Sequence, residues 1–102
     1  MVRSKSEVII ANMLFDREVP FLYERPLYAS DGSFYLPDFT ITWRGEQFFW
    51  EHLGLLHSDE YRRRWEMKKA WYEKHFPDQL LITEESGNLS VDARNIIEKT
   101  FI

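Results

Sequence analysis

Residues 34–53 read FYLPDFTITWRGEQFFWEHL, and this segment determines how the rest of the chain is arranged. Residues 34–43 and 47–53 are rich in aromatic and β-branched side chains, which favour strands. Arg44-Gly45 between them is a tight-turn signal. The segment therefore predicts two antiparallel strands joined by a short hairpin turn.

Helices and strands alternate around this hairpin. The hydrophobic periodicity and the terminating prolines predict helices over residues 4–17, 59–76 and 91–101, and strands over residues 22–28 and 80–83. A helix that connects two strands of one sheet is a right-handed crossover and makes those strands parallel. The order α-β-β-β-α-β-α thus predicts an α/β fold, in which helices flank a mixed four-stranded sheet.

The composition fits one small domain spanning residues 1–102. Of these residues 44% are hydrophobic and 17% aromatic, which excludes a disordered chain because such chains lack the side chains of a core. Cysteine is absent, so disulfides and thiolate sites are excluded. No apolar run reaches the ~20 residues of a membrane span, and the first residues do not resemble a signal peptide. We therefore expect a cytoplasmic protein without a membrane partner.

Asp38 and Glu51 are carboxylates in otherwise apolar strands. Pro37 cannot donate a ladder hydrogen bond, so it indicates a bulge beside Asp38 or, alternatively, a plain Pro-Asp turn. Glu51 is costly to bury unless it is paired or binds a metal; the alternative is a solvent-facing position at a sheet edge. Since hairpin strands are neighbours, the two carboxylates can approach each other, and oxygen ligands suit Mg²⁺ or Mn²⁺.

Lys68 is an unexpected residue on an aromatic helix face. Tyr61, Trp65, Lys68 and Tyr72 recur at a spacing that places them on one narrow stripe of the second long helix. A stripe with three aromatic residues should pack on the sheet, so Lys68 must either extend along the surface to water or meet an anion. Glu51, on the strand that leads into this helix, is the anion we expect.

Two other sets of polar residues have less specific patterns. Ser4-x-x-Glu7 fits a capping box, so Glu7 is either a cap or a member of a site. The three histidines form no metal-ligand spacing, and His52 should point to the opposite strand face from Glu51. They are interpreted as surface or supporting residues.

Basic residues are concentrated on the second long helix, at Arg62, Arg63, Arg64, Lys68 and Lys69. They predict either a surface that contacts phosphates or a solvated helix face, because glutamates share the helix. The net charge of −4 weighs weakly against a nucleic-acid partner, since net charge describes long-range steering and not a local patch.

These features resemble the PD-(D/E)XK nuclease superfamily, whose core has the order αβββαβ. The resemblance covers nearly the whole chain: a glutamate on the first helix, Pro-Asp on a meander strand and an acidic residue on the next strand. Four segments look like a bacterial branch of restriction-like domains, some of them attached to helicases: YERPLY (23–28), LPDF (36–39), WEHLG (50–54) and YRRRWEMKKAWY (61–72). The resemblance implies a restriction-endonuclease-like core.

The resemblance also implies roles for individual residues. Asp38 and Glu51 match the two metal-binding acids, and Glu7 matches the first-helix glutamate that assists the site. The motif lysine is expected two residues after the second acid, where this chain has Leu53. Some members carry the lysine on the following helix, and Lys68 lies where such a residue is expected.

The function that the resemblance implies is a Mg²⁺- or Mn²⁺-dependent nuclease that hydrolyses phosphodiester bonds in DNA, in repair, processing or a restriction-like role. Its partners are then DNA and either a second copy of the chain or a helicase. Sequence-specific restriction is not expected, because base readout requires elements that enter a groove. Leu53 favours an alternative, a non-catalytic nuclease-like module that binds DNA or a helicase. A metal-free interaction domain is a second alternative.

Overall fold

The computed structural model describes residues 4–102 as an alternation of helices and strands. The helices are α1 (Lys5–Asp16), α2 (Asp59–His75) and α3 (Leu89–Phe101). The strands are β1 (Phe21–Tyr23), β2 (Leu27–Tyr28), β3 (Phe34–Tyr35), β4 (Phe39–Trp43), β5 (Glu46–Leu53) and β6 (Leu80–Glu84).

The main sheet has four strands in the order β1-β4-β5-β6. Strands β1, β4 and β5 are antiparallel, whereas β6 runs parallel to β5. Helix α2 connects these two parallel strands, as expected for a crossover connection. The predicted mixed four-stranded sheet flanked by helices is confirmed.

The turn between β4 and β5 fixes the register of the hairpin. Arg44 and Gly45 have φ angles of 52° and 82°, and positive φ at both central residues is the backbone of a type I′ hairpin turn. The pairing then runs from Trp43 opposite Glu46 to Phe39 opposite Trp50. The predicted tight turn is therefore confirmed.

The strands predicted over residues 22–28 and 34–43 are each interrupted. Glu24 has a φ angle of 51°, which turns the chain after β1, and Pro26 and Pro37 cannot donate ladder hydrogen bonds. As a result β2 and β3 leave the main sheet and pair with each other as a separate two-stranded sheet. The prediction that each range forms one strand, with an edge proline or a bulge, was wrong because each range is divided between two sheets by a turn or a proline.

The two faces of the main sheet carry different helices. Trp50 is fully buried in a core that includes Ile10 of α1 and Ile97 of α3. Phe49, its neighbour along β5, points the other way and packs against Tyr72 of α2. Helix α2 therefore covers one face and the helices α1 and α3 the other.

The helix ends differ slightly from the predicted bounds. Ser4 and Ser58 cap α1 and α2, each accepting a hydrogen bond from a backbone N–H three residues later. Helix α1 ends at Asp16, before Pro20, and Glu18 has a φ angle of 57° in the turn that follows.

Within residues 4–102, no helix has the length and apolar character needed to cross a membrane.

Candidate active site

The hairpin brings Asp38 and Glu51 to the same place on the sheet. Phe39 pairs with Trp50, and Asp38 and Glu51 are the next residues beyond this pair. Because side chains alternate along a strand, both acids lie on the opposite face from Phe39 and Trp50, which is the face covered by α2. The backbone N–H of His52 donates a hydrogen bond of 2.7 Å to Asp38 Oδ2. Asp38 is thus held against the strand that carries Glu51.

The Asp38 carboxyl is strongly perturbed by its surroundings. Burial and, to a smaller extent, the charge of the neighbouring Glu51 carboxylate raise the pKa of Asp38 to about 7. The His52 N–H and the Lys68 ammonium act in the opposite direction but are outweighed. The two carboxylates are partly buried and repel each other, and the nearby positive charge does not offset this repulsion. A bound cation would reduce it.

Glu51 is nearly completely buried, with 4% of its surface exposed. Its Oε2 atom accepts a hydrogen bond of 2.6 Å from the Tyr72 hydroxyl and lies 2.7 Å from Lys68 Nζ. Burial raises the pKa of Glu51, while the charge of Lys68 lowers it. Both contacts fall on Oε2, and within residues 4–102 no hydrogen bond reaches Oε1.

Lys68 turns inward from α2. Its side chain is only 20% exposed, and Nζ also donates a hydrogen bond of 3.2 Å to the Leu36 carbonyl. The ammonium lies 5.7 Å from the centre of the Tyr35 ring. The predicted contact between Lys68 and Glu51 is confirmed, and the alternative of a lysine extended to water is wrong.

Leu53 lies beside this lysine. It is 4% exposed and two residues after Glu51, so both side chains point to the α2 face. A cleft of about 270 Å³ is lined by Tyr35, Glu51, Leu53, Tyr61, Arg64, Trp65 and Lys68. The position where the motif lysine is expected therefore opens on the same cleft as Lys68.

Glu7 acts on the site through its charge. The Ser4 hydroxyl caps α1 by accepting a hydrogen bond from the Glu7 N–H, whereas the Glu7 carboxylate accepts a 2.5 Å hydrogen bond from the Tyr23 hydroxyl. The charge of Glu7 contributes to raising the pKa of both Asp38 and Glu51. The Glu7 side chain thus lies near the two acids and is hydrogen-bonded to Tyr23 of β1. Of the predicted capping box, the bond from the Glu7 N–H to the Ser4 hydroxyl is present.

The His52 side chain lies on the face of β5 opposite Glu51 and connects the site to neighbouring elements. Its ring faces away from Glu51, as predicted, with Nδ1 2.9 Å from Thr83 Oγ1 and Nε2 2.7 Å from Glu85 Oε2. Glu85 in turn accepts hydrogen bonds from the Ser6 hydroxyl. These bonds tie β5, β6 and the first turn of α1 together, next to the N–H that holds Asp38.

The predicted phosphate-contacting residues are mostly solvent-exposed. Arg62 pairs with Asp59, and Arg64, 69% exposed, lies 3.9 Å from Glu60. Arg63 is exposed and Lys69 half-buried. Arg64 also lines the cleft with Lys68, so it is the arginine placed to meet a ligand there.

Tyr72 is a site residue that the sequence pattern does not identify. The stripe places Tyr72 on the buried face, but the hydrogen bond to Glu51 depends on how α2 lies on the sheet. Burial raises the pKa of Tyr72, as does the Glu51 charge, so the phenol remains the donor. A buried tyrosine hydroxyl usually requires a hydrogen-bond partner. The position of Tyr72 on the buried face of the helix therefore predicts that it has such a partner, but not which residue it is.

Tyr72→Phe is expected to destabilise the fold by about 1.5–3 kcal/mol, the usual range for a hydrogen bond to a charged group. The substitution leaves the buried Glu51 carboxylate with one donor fewer. The free energy of unfolding in urea measures the effect. Tyr28→Phe, at an exposed tyrosine, is the control, and equal unfolding free energies for the two variants would contradict the assignment.

Asp38 is expected to make the folded chain less stable as pH rises. Its pKa is 3.8 when unperturbed and about 7 in the fold, so between these values the folded state binds more protons than the unfolded state. The contribution is fully present below about pH 4 and is lost as pH rises through about 7. Urea unfolding from pH 5 to pH 8 should show this decline in wild type and a flatter profile in Asp38→Asn. Identical slopes would exclude Asp38 as the cause.

Asp38 and Glu51 are the residues that can hold a divalent cation. Over the described part of the chain, no group of three or more histidine, aspartate or glutamate side chains is arranged to hold a metal. Mg²⁺ commonly binds through one or two carboxylates and retains several waters. The donor chemistry of these two acids therefore fits Mg²⁺ and does not fit a closed site built only from protein ligands.

Comparison with known proteins gives one informative alignment. The chain is 29% identical over 101 residues to "Uncharacterized protein MJ1519" of the archaeon Methanocaldococcus jannaschii. The alignment covers 97% of this chain and 8% of that protein, so the chain spans a small part of the length of its relative. No family model matches the chain, and no solved structure matches it at a significant level.

Proposed function

We propose that this chain is a Mg²⁺- or Mn²⁺-dependent nuclease that hydrolyses phosphodiester bonds in DNA, with a restriction-endonuclease-like core of the PD-(D/E)XK type. The observation that carries the proposal is the 2.7 Å contact between Lys68 Nζ and Glu51 Oε2. It lies beside Asp38, whose carboxylate accepts a hydrogen bond from the backbone N–H of His52, the residue after Glu51. A lysine on the helix and two acids on the strands thereby form the constellation that the motif requires.

Asp38 and Glu51 are the proposed ligands of the cation. When bound, Mg²⁺ neutralises developing charge on the phosphate and lowers the pKa of water. The His52 N–H fixes one oxygen of Asp38, and Tyr72 fixes one oxygen of Glu51. Both acids are thus oriented before a ligand arrives, which is the condition for positioning a reacting group accurately.

Lys68 supplies positive charge where the phosphate reacts. Its ammonium is held by Glu51 and by the Leu36 carbonyl, in a cleft that is open to a ligand. A donor placed in advance near a developing negative charge stabilises the transition state more than the ground state. Lys68 therefore replaces the lysine that the motif carries at the position of Leu53, and Glu7 adds negative charge that favours cation binding.

The proposal is tested by cleavage of end-labelled single-stranded and double-stranded DNA. We expect cleavage in Mg²⁺ or Mn²⁺ and none in EDTA. Heated protein and Glu46→Gln, an exposed glutamate of the same hairpin, are the controls for contaminating nucleases and for non-specific charge effects. Absence of cleavage of both substrates in both metals would overturn the proposed hydrolysis.

The second candidate is a non-catalytic nuclease-like module that binds DNA or a helicase. The specific observation in its favour is Leu53, a buried apolar side chain where the motif lysine is expected. This function requires DNA binding without cleavage and without dependence on Mn²⁺. Titration calorimetry with Mn²⁺ separates it from the nuclease, since only the nuclease must bind the cation at Asp38 and Glu51.

A further inference from the structure

The small sheet of β2 and β3 carries an exposed pair of aromatic rings. Tyr28 and Phe34 are register partners, so they share one face of this sheet. They are 63% and 52% exposed, and their ring centroids lie 5.2 Å apart with a 39° tilt. Two large rings thus face solvent side by side.

The opposite face of the small sheet is fixed to α2. Tyr35 contacts Trp71 edge to face at 4.9 Å, and the Trp71 indole N–H donates a 2.8 Å hydrogen bond to Ser33 Oγ. At the turn, His75 Nε2 lies 3.6 Å from Asp31. The anchoring contacts are therefore made by other residues, and the exposed faces of Tyr28 and Phe34 remain available for a ligand.

The small sheet leads directly into the candidate active site. Phe34 is two residues from Leu36, whose carbonyl accepts the hydrogen bond from Lys68. Two residues of extended chain span at most about 7 Å. Tyr35, between Phe34 and Leu36, lines the cleft, whereas Phe34 points to the opposite face of the small sheet. A strand that stacks on the Phe34 ring therefore reaches the proposed site around the edge of the small sheet.

The charges near this pair suit a polyanion. Lys68 and the exposed Arg64 line the cleft on the Tyr35 side of the small sheet. Arg25 is exposed in the segment that leads into β2, and within the described residues it has no ion-pair partner. Exposed rings combined with cations can bind single strands, with bases stacked on the rings and phosphates near the cations.

We propose that Tyr28 and Phe34 form a stacking platform for unpaired bases, so that the ligand of this chain is single-stranded DNA or a single-stranded segment of it. Paired bases inside a duplex do not offer their faces to the platform. That this strand is then cleaved at the adjacent site depends on the proposed nuclease function, whereas the stacking itself does not.

Equilibrium binding without metal tests the platform separately from cleavage. The anisotropy of a fluorescently labelled thymidine oligonucleotide, and of a duplex of equal length, is measured with wild type and with Tyr28→Leu/Phe34→Leu in EDTA. Loss of one stacking ring weakens binding by about 5-fold to 150-fold. We expect a loss in this range or larger for the single strand, and no change for the duplex.

Three controls make the result decisive. Phe15→Leu removes another exposed ring, on α1, and should leave binding unchanged. Tyr28→Phe keeps the ring and should retain affinity. Circular dichroism and sedimentation verify the fold and the oligomeric state of the double variant.

Two results would overturn the platform: single-strand affinity that survives the double substitution, or an equal loss for the duplex. A change of oligomeric state with unchanged single-strand affinity would instead assign the rings to a contact between copies of the chain. Single-strand binding without cleavage in Mg²⁺ or Mn²⁺ would retain the platform and reject the nuclease. Cleavage and single-strand affinity that are both unaffected by the double substitution would retain the nuclease and reject the platform.

Discussion

Asp38→Asn and Glu51→Gln are each expected to lower the rate of DNA cleavage by about a thousandfold. A metal ion contributes several kcal/mol of charge stabilisation in the transition state, and about 4 kcal/mol corresponds to three factors of ten in rate. Each amide replaces a carboxylate of nearly the same shape, so the loss reports the charge and not the packing. Single-turnover cleavage in saturating Mn²⁺ measures the effect.

The two variants should differ in stability, which separates loss of chemistry from loss of fold. Asp38→Asn removes a charge that the fold disfavours near pH 7, so its free energy of unfolding should not fall at pH 8. Glu51→Gln removes the partner of Lys68 and should be less stable than wild type. Glu46→Gln is the matched exposed control, and Mn²⁺-dependent cleavage at the wild-type rate in either site variant would reject the assignment.

Lys68→Met is expected to lower kcat by about a hundredfold to a thousandfold, the range found when a single donor to a developing charge is removed. Methionine retains most of the packing of the lysine stem against the helix face. The buried Glu51 carboxylate loses its counter-charge, so the variant should lose more stability between pH 5 and pH 8 than the wild type does. Lys69→Met, at the neighbouring half-buried lysine, is the control and should leave kcat unchanged.

A second substitution tests whether Lys68 replaces the motif lysine. Leu53 and Lys68 line the same cleft, so Leu53→Lys in the Lys68→Met background should restore part of the lost activity. Full activity in Lys68→Met would mean that the ammonium has no part in the reaction. A failure of Leu53→Lys to restore any activity would mean that a lysine at position 53 cannot replace Lys68.

Local signals were sufficient to predict much of the fold. Arg44-Gly45 predicts the hairpin because positive φ at both positions is compatible with that pair. The break after β1 was not predicted, because an apolar run with a proline does not show which strand each half joins. Pro37 indicates a bulge or a turn beside Asp38, whereas the separate pairing of β2 with β3 depends on contacts with α2.

The candidate site residues could be predicted where the pattern within a single helix or strand marks a residue as unusual. Lys68 stands out because helical periodicity places it among aromatic residues, and the two acids stand out because they interrupt apolar strands. Tyr72 and the His52 side chain depend instead on how α2 and β6 pack against β5. Such contacts between distant segments leave no periodic pattern in the sequence.

The proposed metal site is tested most directly by a crystal structure of the chain soaked in Mn²⁺, with the metal located by its anomalous scattering. The proposed site predicts a peak about 2.1 Å from carboxylate oxygens of both Asp38 and Glu51, with Lys68 Nζ directed into the same cleft. A peak at other carboxylates only, or a Lys68 side chain turned to solvent, would contradict the proposed site.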